Sequence, residues 1–466
     1  MSSSSLEKDK DLVPDSTRIE VTKASLHDSI ENTDTGWYIW LIVLTASIGG
    51  MLFGYDTGII SAVLVYLEDI LGHLLSASEK EMITAPCSAG AFVESIIAGL
   101  TADRYGRKGP MYIGCAPFTV GAVLQASAYS VPQITVGRLI VGFRVGSAAM
   151  IVPAYIAEIA PTKHRGRMIG LNNVSITGGQ VISYALGAAF ASFLNGSRYM
   201  VGLGGLPSIL LAILLPLCPE SPRQLIHYDK HEEARAVLHR IFKAATPEQV
   251  QNKIHLIEAS VRDFQASTAY FRALVCASTL MTISQMSGFN VLMYYSRTLF
   301  ALVGFSNPVT VGLVFSGTNL PMTLVNMLAV DSFGRRRLLV RTSWGMSASL
   351  VAVAVSFAYI AVDLETLEVT TKSITTAAII VLRSNLIVSS TSVYDEGITP
   401  SGAFSFYACL TFIGWVMIIL FYPEMSGLQI EEIREVFKLD LASGMVRGCE
   451  SSVRRIVAPA LTEIDY

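Results

Sequence analysis

Apolar runs of about twenty residues, each long enough to cross a lipid bilayer as a helix, recur along most of this chain. They lie near 37–64, 82–102, 111–129, 131–158, 168–194 and 199–218. After a polar interval they return near 271–301, 308–330, 342–362, 374–393 and 402–422. A backbone in lipid must satisfy its own hydrogen bonds, and runs of this length do so as helices, so the chain is expected to be an all-α polytopic membrane protein. Composition agrees: 52% hydrophobic and 15% charged residues leave too little polar surface for an ordinary water-soluble globule of 466 residues. The net charge of -3 gives no basic field for nucleic acid.

Lysine and arginine fall on alternate sides of these runs. Arg104, Arg107 and Lys108 follow the second, Lys163, Arg165 and Arg167 the fourth, and Arg335, Arg336, Arg337 and Arg341 the eighth. Basic loops stay in the cytoplasm, which places them and the amino terminus there. Residues 1–36 are rich in Ser, Asp, Glu and Lys without an apolar core, and read as a disordered cytoplasmic tail rather than a signal peptide. The domains expected are then that tail, a first bundle over 37–218, a cytoplasmic helical linker over 219–270, a second bundle over 271–422 and a cytoplasmic tail over 423–466. Within the linker, Thr246-Pro247 opens a helix with Val250, Ile254, Ile257 and Val261 on one face. Ala234, Val237, Leu238 and Ile241 form a second such face. The six cysteines lack metal-like or disulfide-like spacing and read as small core residues.

One acid stands out. Asp56 lies inside the first apolar run, in Gly49–Ser61, where a lone charge is costly and marks a functional position unless it is partly hydrated near a helix end. Its natural partner is Arg138 from the fourth run. The halves also echo one another: Asp103-Arg104-Tyr105-Gly106-Arg107-Lys108 closes the second run and Asp331-Ser332-Phe333-Gly334-Arg335-Arg336 closes the eighth. Such an internal repeat suits a transporter whose site lies between pseudo-symmetric halves. Gln180, Gln285, Asn290, Tyr294 and Asn319 are uncharged polar groups in otherwise apolar runs, suited to a hydroxyl-rich solute or, singly, to bonding helices together. No nucleophile–base set, nucleotide loop or metal cluster stands in the sequence, so neither an enzyme nor a cofactor is expected.

These motifs, with Pro153–Glu158, Arg165-Gly166, Gly179-Gln180, Pro219–Arg223, Gln285–Tyr295 and Pro423–Gly427, resemble the sugar porter family of the major facilitator superfamily. Met293–Ser296, Ser316–Asn319 and Ile398–Gly402 look most like its fungal inositol-transporter branch. The resemblance implies two six-helix bundles that rock about a midplane site, carrying a hexose or myo-inositol, with the five polar residues above as substrate contacts. It implies that Asp56 and Arg138 couple protons to that movement. Burial disfavours a charged carboxylate and a guanidinium favours it, so a pair that separates during the cycle changes its proton affinity with conformation; a permanent structural bridge is the alternative. It further implies a cytoplasmic latch of Asp103, Arg107, Glu158, Arg165 and Glu220, with Arg223, Asp331, Arg335 and Glu424 completing it. A monomer in the plasma membrane is expected.

The chain departs from the family pattern after the ninth run. Ile374–Leu382 resembles the start of a tenth helix and Asn385–Ser392 the end of an eleventh, so two crossings are fused near 382–383 and about eleven spans are expected instead of twelve. A shortened, inactive version of a working transporter is therefore one alternative. A nutrient sensor that binds without moving solute is another, although such a sensor is expected to carry a long signalling tail beyond what 423–466 offers. Glu94 and Arg144 stand where the family carries small residues, and are expected to disrupt helix packing unless they pair.

Overall fold

The computed structural model describes residues 36–263 with short gaps at 68–70, 72, 74, 192 and 194, the helices 308–333 and 409–418, and isolated positions at 30, 71, 275–282 and 340–355. Every described element is helical. In chain order these are α1 (Trp37–Tyr66), α2 (Ala77–Tyr105), α3 (Lys108–Ile113), α4 (Cys115–Ala126), α5 (Val131–Ile159) and α6 (Arg165–Ala189). Then come α7 (Gly196–Leu203), α8 (Gly205–Leu214), the short helices α9 (Pro222–His227), α10 (His231–Ile241) and α11 (Pro247–Asp263), and α12 (Pro308–Phe333). Cys409–Ile418 forms a last short apolar helix, α13.

By length and apolarity alone, Trp37–Leu64, Ser78–Tyr105, Val131–Ile159 and Gly196–Leu217 could each cross a membrane. The apolar run at 111–129 is divided into α3 and α4 at Gly114, where a Cβ would crowd the stem of Arg144 at 3.0 Å. α2 starts earlier than its hydropathy suggests. Ser76 caps it, taking the Glu79 N–H on its hydroxyl while the Glu79 carboxylate takes the Ser76 N–H at 2.9 Å.

α5 is the central helix of this half, with 61% of its most apolar window buried against 28% for α2. The outer faces of α2 and α8, with Phe92, Leu100, Leu206 and Ile213 exposed, are suited to contact with acyl chains. α2 lies along α5 and α1 along α6, and α6 also packs on α12. Without a hydrophobic drive between helices in lipid, close association requires small residues at the seams. A Cβ on Gly54 would overlap the Ile176 carbonyl of α6, and one on Gly142 of α5 would overlap the Cys87 carbonyl of α2.

α9–α11 turn their apolar faces toward the protein. Ala234, Val237, Leu238, Ile241, Val250, Ile254 and Ile257 are buried in the same core as Ile39 and Ile42 of α1. The Gly36 N–H donates to the Ile241 carbonyl at 3.2 Å. Thr246 caps α11, its hydroxyl accepting the Gln249 N–H at 3.3 Å.

Arg144 and Glu94 form no ion pair. Arg144 is fully buried between Gly49 and Gly114, with Nη1 donating to the Ser147 hydroxyl at 3.2 Å and with Nε and Nη2 unpartnered. The bundle makes room for the larger residue through glycines on α1 and at the α3–α4 break. Cys87, Cys115 and Cys218 are buried, Cys409 is exposed because α13 presents it on an open face, and Cys276 and Cys449 fall outside the described residues.

Candidate functional site

Asp56 sits in the middle of α1, two residues after Gly54 and two before Gly58, where glycines let α1 press against α6. The Arg138 side chain reaches it from the second turn of α5, with Nη1 donating to Oδ1 at 2.5 Å. Both groups are buried, at 7% and 1% exposure, and so form a desolvated charge pair inside an apolar bundle. The other carboxylate oxygen takes the thiol of Cys87, whose Sγ is 3.4 Å from Oδ2. That contact was not legible as a site feature, because a cysteine in an apolar run reads as core and nothing in its spacing says which face of α2 meets α1. Tyr55, the neighbour of Asp56, donates its hydroxyl to the Met200 carbonyl of α7 at 2.5 Å.

Gln180 lies on α6 and is 2% exposed, with Oε1 unpartnered. Its backbone carbonyl faces Gly58, two residues from Asp56. Asn172, two turns earlier, is also buried with Oδ1 unpartnered, and it faces Gly50. Its own polarity in an apolar run could have marked it. Asn319 is half-buried on α12, its carbonyl accepting the Thr323 hydroxyl at 3.0 Å. Gln285, Asn290 and Tyr294 lie outside the described residues, as do Arg335 and Glu424; Asp331 falls in the last turn of α12.

A second cluster joins the α2–α3 turn to the ends of α5 and α8. Arg107 donates through Nη2 to Glu158 at 2.9 Å and through Nη1 to Asp103 at 2.8 Å. Burial opposes the Arg107 charge, but Glu158 and Asp103 outweigh it and hold the guanidinium above its ordinary range. Gly106 turns the chain at a φ of 85°, and Glu220 then takes the N–H groups of Arg107 at 2.9 Å and Lys108 at 3.2 Å. The Lys108 ammonium closes the joint on the carbonyls of Pro216 and Cys218, both at 2.8 Å. Arg165 is buried beside Thr162, and Arg223 is half-buried in α9. All the described members of this cluster belong to the first half of the chain. Glu220→Ala is expected to lower stability by about 1–3 kcal/mol, since it strands the half-buried backbone N–H groups of Arg107 and Lys108; thermal unfolding of the detergent-solubilised protein checks this.

The profile of the family described as "Sugar (and other) transporter" matches residues 42–382. The chain belongs to this family. It is 36% identical to Myo-inositol transporter 1 of Cryptococcus neoformans, over 86% of this chain and 81% of that protein. It is 33% identical to Myo-inositol transporter 2 of Schizosaccharomyces pombe, over 90% and 84% of the two chains. The first alignment runs to 462 positions while taking in only 86% of this 466-residue chain, so the relative carries internal sequence that this chain lacks. The chain also superposes on the proton:xylose symporter XylE bound to 6-bromo-6-deoxy-D-glucose with a TM-score of 0.73, at 23% identity over 86% of this chain and 99% of that one. The inward-open form of XylE from E. coli gives 0.61. The fold is that of the major facilitator superfamily, and the work of this sugar transporter family member is to move a sugar-like solute across a membrane.

Proposed function

We propose that the chain carries myo-inositol or a hexose by alternating access, driven by proton symport, as a monomer in the plasma membrane with its amino terminus cytoplasmic. The observation that carries this reading is the desolvated Asp56–Arg138 pair, two residues along α1 from Gly58, where α1 meets the Gln180 carbonyl of α6. A buried carboxylate that exchanges one guanidinium for one proton gives the bundle two charge states, which is what coupling requires.

The levels of the polar residues support a shared site. A Cβ on Gly170 of α6 would crowd Met327 of α12. Spans five and eight of this fold run in opposite directions, so Gln180, ten residues on, and Asn319, eight residues back, both stand roughly 12–15 Å from that contact. Gln180 and Asn319, joined by Gln285, Asn290 and Tyr294, are proposed as the partners that replace the water of a polyhydroxylated solute. The Arg107 cluster, with Asp331, Arg335 and Glu424 from the second half, is proposed as the cytoplasmic latch. The domain limits proposed are 37–218 and 271–422 for the bundles, 219–270 for the linker, and 1–36 and 423–466 for the tails.

Uptake of labelled myo-inositol and glucose in a transporter-deficient cell, with and without a proton gradient, tests the reading. Uptake of neither solute, or uptake indifferent to the gradient, counts against it. Gln180→Leu is expected to raise KM by about 10- to 100-fold at unchanged protein amount, the loss of one or two hydrogen bonds in a dry site.

A second reading has its own observation. The family match ends at Leu382, beside the junction where two crossings are fused in sequence, and the relatives carry internal sequence missing here. On that reading the chain is a shortened transporter that does not move solute, from altered splicing or a gap in the gene model. A transcript that reads through 382–383 as written removes the gene-model version, and binding without uptake favours a sensor.

A further inference from the structure

The Asp56–Arg138 pair has a second side, on which α6 and α12 contribute nothing to the walls. There a cavity of about 10 Å³ lies among α1, α4, α5, α7 and the residue that follows α7, with Tyr55, Asp56, Ala122, Gln125, Arg138 and Gly204 among its walls. That is room for about one water and far too little for a sugar. Gln125, in the last turn of α4, is 8% exposed and lines this cavity with Asp56 and Arg138. A water held between the Gln125 amide and the Asp56 carboxylate can hydrogen-bond to both. The Tyr55 hydroxyl on the same wall is committed to the Met200 carbonyl. Gln125 stands at the end of the half-bundle away from the Asp103–Lys108 turn.

We propose that this cavity is a one-water site through which Asp56 exchanges its proton, with Gln125 as the residue that positions the water, separate from the solute's path past Gln180. The water accepts a proton on the Gln125 side and gives one to the carboxylate. It is left unchanged, while Asp56 becomes neutral and Arg138 loses its counter-charge. The charged and titratable groups facing Asp56 are Arg138 from α5, Cys87 from α2 and its neighbour Tyr55. α6 presents Gly179 and Ser183 to this stretch of α1, α4 presents Gln125, and α7 with the residue after it presents Val201 and Gly204. The position of the site on the wall opposite the solute would let a proton arrive while the solute is bound.

This rests on the proton-symport reading, and the test separates the two. Full-length protein is reconstituted in proteoliposomes, and labelled myo-inositol accumulation is followed across a series of imposed proton gradients. Gln125→Leu is expected to lower gradient-driven accumulation about tenfold and to flatten the dependence of uptake on pH, with KM at the most acidic pH within twofold of wild type. Ala122→Val, which fills the cavity from the same helix, is expected to do the same, and Gln125→Asn to retain part of the coupling. If Gln125→Leu does not fold, the Ala122→Val result decides. Wild-type accumulation in the variants, or a raised KM with the pH dependence intact, overturns the one-water site. Wild-type protein that shows no gradient-driven accumulation overturns the symport reading and this site with it.

Discussion

Arg138→Met is expected to unfold the protein more readily than the double change Arg138→Met with Asp56→Asn. The single substitution leaves a carboxylate at 7% exposure with only the Cys87 thiol as a hydrogen-bond donor, and stranding one member of a buried ion pair typically costs about 3–5 kcal/mol. Removing both charges removes the desolvation penalty of both, so the double variant should recover most of that loss. Thermal unfolding of the four proteins in detergent completes a double-mutant cycle, and a double variant as unstable as the sum of the singles shows that the two groups do not interact. The same four proteins separate stability from transport. On the proposed symport, Asp56→Asn removes the carboxylate that would exchange the proton and is expected to abolish gradient-driven accumulation, by about a hundredfold or more on the scale of proton-transfer contributions.

Gly54→Val should prevent assembly of the first bundle. A Cβ at this position overlaps the Ile176 carbonyl, which is backbone and cannot rotate aside, and Gly179 makes the reciprocal approach to the Met51 carbonyl one turn away. The helices must separate or shift, and overpacking against a rigid seam exceeds the usual penalty of about 1–3 kcal/mol for an added methylene in a core. Monodispersity of the tagged protein on size exclusion checks this. Gly178→Val, on the same stretch of α6 but with open space around its Cβ, serves as the control and should elute normally.

Much of the architecture was legible because lipid imposes it. A run of apolar residues between basic loops has few alternatives to a spanning helix, and the capped start of α11 at Thr246-Pro247 is local chemistry. The pairing of Asp56 with Arg138 was also readable, since a charge in such a run needs a partner and few exist. What hydropathy could not convey is which side of a helix meets which neighbour. Cys87 and Gln125 are ordinary residues in their runs until α2 and α4 are rotated into place, and only then does one reach a carboxylate and the other a cavity. Arg144 illustrates the opposite case. In the chain it looks disruptive, yet Gly49 and Gly114, distant in sequence, provide the volume it occupies. The break between α3 and α4 at Gly114 was missed for the same reason, because the Arg144 side chain that packs against it lies on α5.

The joint built by Glu220 and Lys108, together with the shared core beneath α10 and α11, fastens three peripheral helices to the first half of the molecule. Those helices are thus passengers of that half, and any tilt of it would be magnified at their far ends as at the tip of a pointer. A dye fixed at the exposed position of Glu232 would therefore register the orientation of one half alone, offering an optical gauge of the carrier's cycle that leaves the solute route untouched.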